Sequence, residues 1–125
     1  MPFDVELDYD RGVPVYRQIV EAAVRALANG RLAVDEQLPT IVELAGRLGI
    51  NPNTVARAYR ELEQGGHIFA RRGRGTFGAP LRKDSVPARE AILRDIYDRA
   101  IQQGAEHSIS AREILRFFRK AQHDE

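Results

Sequence analysis

Apolar residues recur with strand-like or helical periods along much of the chain, and these periods predict its elements. Residues 3–10 alternate strictly between apolar and acidic side chains, which predicts a half-buried strand or an extended arm. Pro14 is expected to open a helix that runs to about Asn29, with Gly30 as its terminator. The stripe that marks this helix as core-facing comprises Val15, Ile19, Ala22, Ala23, Ala26 and Leu27.

Two helix starts follow one another closely in the middle of the chain. Thr40 and Glu43 have the spacing of a capping box, in which Thr40 accepts from the backbone of Glu43 and Glu43 reaches back. Gly49 is expected to end this short helix, and Asn51-Pro52 to start a second one that runs to about Gln64. A turn of about three residues between two helices is typical of a helix-turn-helix.

A short hairpin is predicted after the helix pair, with strands over 68–70 and 76–77. The loop between them, residues 71–75, has glycines where positive φ is needed and three arginines that suit solvent. A hairpin that follows such a helix pair is called a wing. The predicted fold class is therefore mainly α with a small β-hairpin, a winged helix-turn-helix domain followed by a short tail of two helices.

The tail is the part of the chain that cannot form a core of its own. A polar linker is expected over 80–87, a helix over 88–103 ended by Gly104, and a last helix opened by the capping box at Ser110. Because a pair of helices this short cannot bury its apolar side chains alone, these side chains must pack on the winged domain or on a second chain. They are Ile92, Leu93, Ile96, Tyr97, Ile101, Leu115, Phe117 and Phe118.

A homodimer through this tail is the favoured alternative, because it also pairs two recognition helices for two half-sites. The predicted organisation is then an extended arm over 1–12, the winged helix-turn-helix over 13–79, a linker over 80–87 and a dimerisation tail over 88–125.

Charge and composition narrow the class of partner. Residues 42–83 carry eight Arg and Lys against three Asp and Glu, although the whole chain has a net charge of only +1. Such a local excess favours a face that binds a polyanion. The absence of cysteine excludes disulfides and thiolate metal sites. No run approaches the ~18 apolar residues of a membrane span and no secretory signal is recognisable, so we expect a cytoplasmic protein with no membrane partner.

The second helix of the pair has one apolar and one polar face. At about 100° per residue, Val55, Ala58, Tyr59 and Leu62 form the stripe expected to be buried. Asn53, Arg57, Arg60 and Gln64 lie on the opposite side, and each of them can donate hydrogen bonds.

This polar face suits the major groove of double-stranded DNA. Arginine pairs with N7 and O6 of guanine, and asparagine pairs with N7 and N6 of adenine. Because the first residues of such a helix go deepest, Asn53, Thr54 and Arg57 are the candidates for base contacts. Phosphate or solvent suits Arg60 and Gln64, and the flanking phosphates or the minor groove suit the wing arginines Arg71, Arg72 and Arg74.

Other functional classes have little support in the sequence. No cysteine nucleophile, serine elbow or complete phosphate loop is present, so an enzyme is not expected. No pair of metal ligands stands four residues apart in an apolar setting, so no metal or cofactor is expected either. The alternative that stays open is a winged-helix adaptor that binds protein or RNA. Against RNA, Phe69 and Phe77 sit at alternating strand positions, which favours the core over an exposed stacking platform.

Several of these segments together resemble the GntR family of bacterial transcription regulators. The resemblance covers residues 13–78, and Asn51-Pro52-Asn53-Thr54-Val55 with the two-helix tail is similar to the YtrA-type subgroup. The matching segments are Pro14-Val15-Tyr16-Arg17-Gln18-Ile19, Leu38-Pro39-Thr40, Glu43-Leu44-Ala45, residues 51–59, Leu62-Glu63 and Gly73-Arg74-Gly75-Thr76-Phe77.

The resemblance implies a homodimer that binds an operator, usually as a repressor and often for a transporter operon. It implies DNA contacts at Thr40, Asn53, Thr54, Arg57, Arg72, Arg74 and Gly75. One departure is Val42, where many members have an arginine that helps to hold DNA. Neither the residues nor the resemblance identifies an effector, the operator or the regulated genes.

Overall fold

A computed structural model describes residues 4–80 and 86–124, which form two compact units, the winged unit (4–80) and the tail unit (86–124). The winged unit contains a 3-10 turn over Tyr9–Arg11, α1 over Val15–Asn29, α2 over Ile41–Leu48, α3 over Pro52–Gln64, β1 over Ile68–Arg71 and β2 over Gly75–Gly78. The tail unit contains α4 over Val86–Glu106 and α5 over Ala111–Asp124. This mainly helical architecture with one antiparallel hairpin confirms the predicted fold class.

The N-terminal segment differs from the predicted strand. Residues 4–8 have no regular secondary structure, and Phe3 lies outside the described residues. The side chain of Asp8 accepts from the backbone N–H of Asp10 and starts the 3-10 turn, so the extension does not reach residue 10. Tyr9, predicted on the apolar side, is 70% exposed. The Asp8 cap joins residues only two positions apart, whereas a strand would need a distant partner strand, and the local bond forms instead of the predicted strand.

A buried glutamine on α1 holds the N-terminal segment. Gln18 donates from Nε2 to the carbonyls of Asp8 and Val13, both at 2.9 Å, and its Oε1 accepts from the Asp8 N–H at 2.9 Å. Its burial is tolerated because all of these polar atoms are paired. The predicted core face of α1 is otherwise confirmed, with Ile19 completely buried.

The core of the winged unit lies between α1, α2 and α3. Ile19, Leu44, Val55 and Leu62 have no exposed surface, and Ile68 brings β1 against the same cluster. The predicted buried stripe of α3 is therefore confirmed.

The helix pair has the predicted spacing, since three residues separate Leu48 from Pro52. The Thr40 hydroxyl accepts from the Glu43 N–H at 3.1 Å, which confirms half of the capping box. The reciprocal bond, in which the Glu43 carboxylate accepts from the Thr40 N–H, is not among the hydrogen bonds of the described residues. Gly49, with φ of 66°, ends α2 in the left-handed conformation that favours glycine.

The hairpin is slightly longer than predicted, because Arg71 pairs with Gly75 and both belong to strands. A further bridge joins Gln37 to Phe77, and the Leu38 N–H donates to the Thr76 carbonyl at 2.8 Å. The wing is therefore attached to the segment before α2 as well as to α3 through β1.

The first tail helix is longer than predicted. α4 begins at Val86, so the last two residues of the expected linker are helical, whereas 81–85 lie outside the described residues. Gly104 does not end α4, which continues to Glu106. A Cβ on Gly104 would lie 2.9 Å from the Ile109 carbonyl oxygen, so glycine is required there by the close approach of the turn before α5.

None of the helices in 4–80 and 86–124 combines the length and the apolar character needed to cross a membrane.

Candidate nucleic-acid interface

The polar face of α3 is open to solvent while its apolar face is buried. Asn53, Arg57 and Arg60 are exposed, and Thr54 is partly buried at the edge of this face. Since Val55 and Leu62 on the other side have no exposed surface, the rotation of α3 about its axis is fixed by the core. Asn53, Arg57 and Arg60 therefore lie on the solvent-exposed side of α3, and their contacts with DNA stay a prediction.

A buried tyrosine ties α3 to the start of α2. The Tyr59 hydroxyl donates to the Pro39 carbonyl at 2.6 Å. Burial raises the pKa of Tyr59 well above its ordinary value, with a smaller contribution from the charge of Glu43. The phenol is therefore a neutral donor over the physiological range. Because Pro39 precedes the capping residue Thr40, this bond holds the middle of α3 against the start of α2.

The backbone N–H groups in the first turn of α3 are already hydrogen-bonded within the chain. Pro52 has no N–H, the Asn53 N–H donates to the Asn51 side chain at 2.8 Å, and the Thr54 N–H donates to the Asn51 carbonyl at 3.0 Å. Side chains are the polar groups that this turn presents to solvent.

Two cross-contacts between α1 and α3 were missed by sequence reasoning. The Arg57 guanidinium carbon lies 3.8 Å from the centre of the Tyr16 ring. One turn further along α3, Glu61 accepts from Arg17 at 2.7 Å. Helical periodicity placed each residue on the surface of its own helix. Only the packing of α1 on α3 brings the pairs together, and no local pattern signals that.

The predicted site residues around α2 are exposed. Thr40 is exposed and its hydroxyl caps α2. Val42, which stands where the resemblance implies an arginine, has 72% of its surface exposed. An apolar side chain is thus exposed on α2 at the position where the resemblance implies a cation.

The wing presents three exposed arginines. Arg72 and Arg74 flank the tip, and the Arg71 guanidinium lies 5.3 Å from the centre of the Phe69 ring. Gly75 has φ of +121°, a conformation that side-chain-bearing residues rarely adopt, and Gln37 donates to the neighbouring Arg74 carbonyl at 3.2 Å.

The two wing phenylalanines were expected to be core residues, and this prediction is wrong. Phe69 and Phe77 pair across the hairpin with ring centres 5.7 Å apart and are only partly buried. Alternation along β1 sends Ile68 into the core and therefore Phe69 to the other side.

The tail residues predicted to form a dimer interface are largely exposed. Ile101 is partly buried, whereas at least half of the surface of each of the other seven is open, with Phe117 at 69%. On the polar side, Arg99 pairs with Asp95 at 3.1 Å, as the i,i+4 spacing predicts.

Among residues 4–80 and 86–124, no group of three or more His, Cys, Asp or Glu side chains is arranged to hold a metal ion.

Comparison with known proteins identifies the scaffold. The family model for bacterial regulatory proteins of the gntR family matches residues 15–77, which is half of the chain. The chain belongs to the GntR family. The match spans α1 to β2, the elements that carry the predicted recognition surface. GntR proteins are transcriptional regulators, which confirms the prediction of a regulator rather than an enzyme.

Individual relatives agree with this GntR assignment. The chain is 38% identical over 73 residues to the HTH-type transcriptional repressor YtrA of Bacillus subtilis, which covers 58% of this chain and 56% of that protein. It is similar to the structure of YtrA from Sulfolobus acidocaldarius, a GntR-family transcription factor, with a TM-score of 0.60 and 31% identity over 78% of this chain and 97% of that one.

A third relative has been solved with DNA. AraR(DBD) in complex with operator ORE1 matches with a TM-score of 0.52 and 28% identity, over 62% of this chain and 94% of that chain. The GntR winged helix-turn-helix is thus a scaffold that binds operator DNA, and this chain is a DNA-binding regulator of that family.

Proposed function

We propose that this GntR-family protein is a repressor that binds a palindromic operator as a homodimer in the cytoplasm. The observation that carries the proposal is the rotation of α3, which buries its apolar face completely and leaves Asn53 and Arg57 exposed. A helix held in this way presents donors of the kind that read base edges in the major groove.

The residues divide into those that read bases and those that hold the backbone. Asn53, Thr54 and Arg57 lie on the first half of α3, which goes deepest in a helix-turn-helix. The other predicted site side chains are proposed to contact phosphates, because phosphate contacts add affinity and fix the orientation of the protein without reading the base sequence. These side chains are Thr40, Arg60, Arg71, Arg72 and Arg74, with Gly75 setting the shape of the wing.

A second copy of the chain is proposed to bury the exposed apolar side chains of the tail unit. The apolar side chains of α4 and α5 are largely exposed, and a pair of helices cannot bury them alone. Dimeric helix-turn-helix proteins read two half-sites about 34 to 36 Å apart, and a two-fold symmetric dimer matches a palindromic site, so a homodimer through the tail supports a palindromic operator.

The sign of regulation and the target genes rest on similarity. The YtrA relative of Bacillus subtilis is named a repressor, which supports repression here. The YtrA-type resemblance implies a transporter operon as the target. Recovery of genomic DNA fragments bound by the chain identifies the operator and the adjacent genes, and we expect an inverted repeat upstream of transporter genes.

Two arginine variants separate base reading from phosphate binding. Arg57→Ala is expected to weaken operator binding by about 1 to 3 kcal/mol and to leave binding to a random duplex unchanged. Arg74→Ala is expected to weaken both about equally and to lower the salt dependence. Fluorescence anisotropy with the recovered operator and a shuffled duplex measures both.

Arg25→Ala is a matched control, because it removes one exposed charge from α1 on the side opposite Tyr16. If Arg57→Ala binds the operator as tightly as the wild type, Arg57 does not read bases. A single-stranded RNA of the same sequence tests the RNA-binding form of the adaptor alternative, because partly exposed rings such as those of Phe69 and Phe77 can stack on unpaired bases. Preference for RNA would contradict the proposal.

A further inference from the structure

The contact between Tyr16 and Arg57 is one that the DNA-binding role alone does not require. Arg57 stands four residues before Glu61 on α3, and side chains at this spacing are neighbours on a helix surface. An ion pair between them would be the ordinary local outcome. The structure has another arrangement, in which Glu61 pairs with Arg17 at 2.7 Å and Arg57 lies over Tyr16.

Two consecutive residues of α1 therefore separate a cation from an anion on α3. Arg17 occupies the Glu61 carboxylate, and Tyr16 offers Arg57 a ring face with the guanidinium carbon 3.8 Å from its centre. The ring is itself held in place, since Tyr16 is partly buried and packs against the core cluster. The platform under Arg57 is thus a fixed part of the winged unit.

Stacking leaves the hydrogen-bonding edge of the guanidinium available. An arginine over an aromatic ring makes contact through the face of its planar group, while its five N–H donors point outward in the plane. In the described part of the chain, Arg57 donates no hydrogen bond and makes no ion pair. It is therefore held without using the donors that a guanine or a phosphate would need.

We propose that Tyr16 is a positioning residue for DNA recognition, which holds the Arg57 guanidinium away from Glu61 with its donors free for the duplex. The inference rests on the proposed base-reading role of Arg57. Its physical basis is that an arginine already restricted in its rotamers loses less conformational entropy on binding than a free one.

A double-mutant cycle tests the inference. Operator and shuffled-duplex affinities are measured for Tyr16→Leu, Tyr16→Phe, Arg57→Ala and the double variant Tyr16→Leu/Arg57→Ala. We expect Tyr16→Leu to weaken operator binding by about 3- to 10-fold, the range given by a cation–π contact. Tyr16→Phe keeps the ring and should restore the wild-type affinity. The double variant should bind no more weakly than Arg57→Ala, because Tyr16 acts only through Arg57.

Further measurements distinguish positioning from a structural role. The operator base pairs at which Tyr16→Leu loses discrimination should be those at which Arg57→Ala loses it, and shuffled-duplex binding should not change. Tyr9→Leu is a matched control, since Tyr9 is exposed and lies outside α1. If Tyr16→Leu does not fold, Tyr16→Met replaces it, because Met keeps apolar volume without a ring.

The possible failures are distinct. If Arg57→Ala has no effect on the operator, the base-reading role proposed above is wrong. If Arg57→Ala weakens binding but the leucine variant does not, or if the two losses multiply in the double variant, only the role of Tyr16 is wrong. Tighter operator binding by Tyr16→Leu would also overturn the inference, since it would mean that the ring withholds Arg57 from DNA.

Discussion

The winged unit and the tail unit are both built from amphipathic helices, but they treat their apolar faces in opposite ways. In the winged unit, Leu44, Val55 and Leu62 have no exposed surface. In the tail unit, Phe117 and Phe118 are 69% and 65% exposed. Apolar residues recur at helical spacing in both units, so the number of elements that can close a core contributes to the difference. Three helices and a hairpin enclose an interior, whereas two helices leave one side of each uncovered.

The largest effect on assembly is expected when charged side chains are placed on the exposed apolar side of the tail. Leu115→Asp/Phe118→Asp places two carboxylates on the exposed apolar side of α5, three residues apart on one face. If a second copy covers this side, burial of the carboxylates should raise the dissociation constant of the dimer by at least about 100-fold. Sedimentation velocity should then show monomers, and operator affinity should fall with them.

The matched control for the tail is Ala91→Asp/Gln102→Asp. Both side chains are exposed and lie on the side of α4 opposite its apolar stripe, so the same two charges should leave the dimer intact. A dimer that survives the substitutions on α5 would move the interface elsewhere.

The next effect concerns the closed core of the winged unit. Leu44→Ala removes a completely buried side chain and should lower the free energy of unfolding by about 2 to 5 kcal/mol. Val42→Ala, two residues earlier on α2 and 72% exposed, should change it by less than about 0.5 kcal/mol. Urea denaturation of both variants gives the comparison. Equal stabilities would mean that the core does not carry the stability of this unit.

A smaller effect is expected at the bond between α3 and the start of α2. Tyr59→Phe keeps the ring but leaves the Pro39 carbonyl unpaired, which should cost about 1 to 2 kcal/mol near neutral pH. The pKa of Tyr59 is raised in the fold above its ordinary value of 10.0, so the unfolded chain ionises first as the pH rises. The advantage of the wild type over Tyr59→Phe should therefore be complete below pH 10 and shrink above it. Urea denaturation at a series of pH values measures this, and an advantage that grows above pH 10 would contradict it.

Features set by neighbouring residues were predictable from the sequence. Thr40 and Asn51 cap the helices that they were expected to cap, and the buried stripe of α3 follows from its periodicity alone. Caps and stripes depend on side chains within a few positions of each other, and the sequence records those distances directly.

Features set by packing between elements were not predictable in this way. The pairing of Gln18 with Asp8 and the stacking of Arg57 on Tyr16 join residues whose separation in space depends on the whole fold. Gly104 was misread for the same reason. Glycine usually marks a helix end, but here it makes room for the Ile109 carbonyl. The DNA contacts of the site residues stay predictions that the experiments above address.

The start of α3 has a consequence for how such a regulator evolves. Because the amides of Asn53 and Thr54 are taken by Asn51 and Pro52 has none, a duplex approaching this end meets side chains without a main-chain anchor. Exchange of those side chains can then change the preferred target site while the backbone that presents them stays the same. Paralogues with this helix start can acquire separate regulons through a few codon changes.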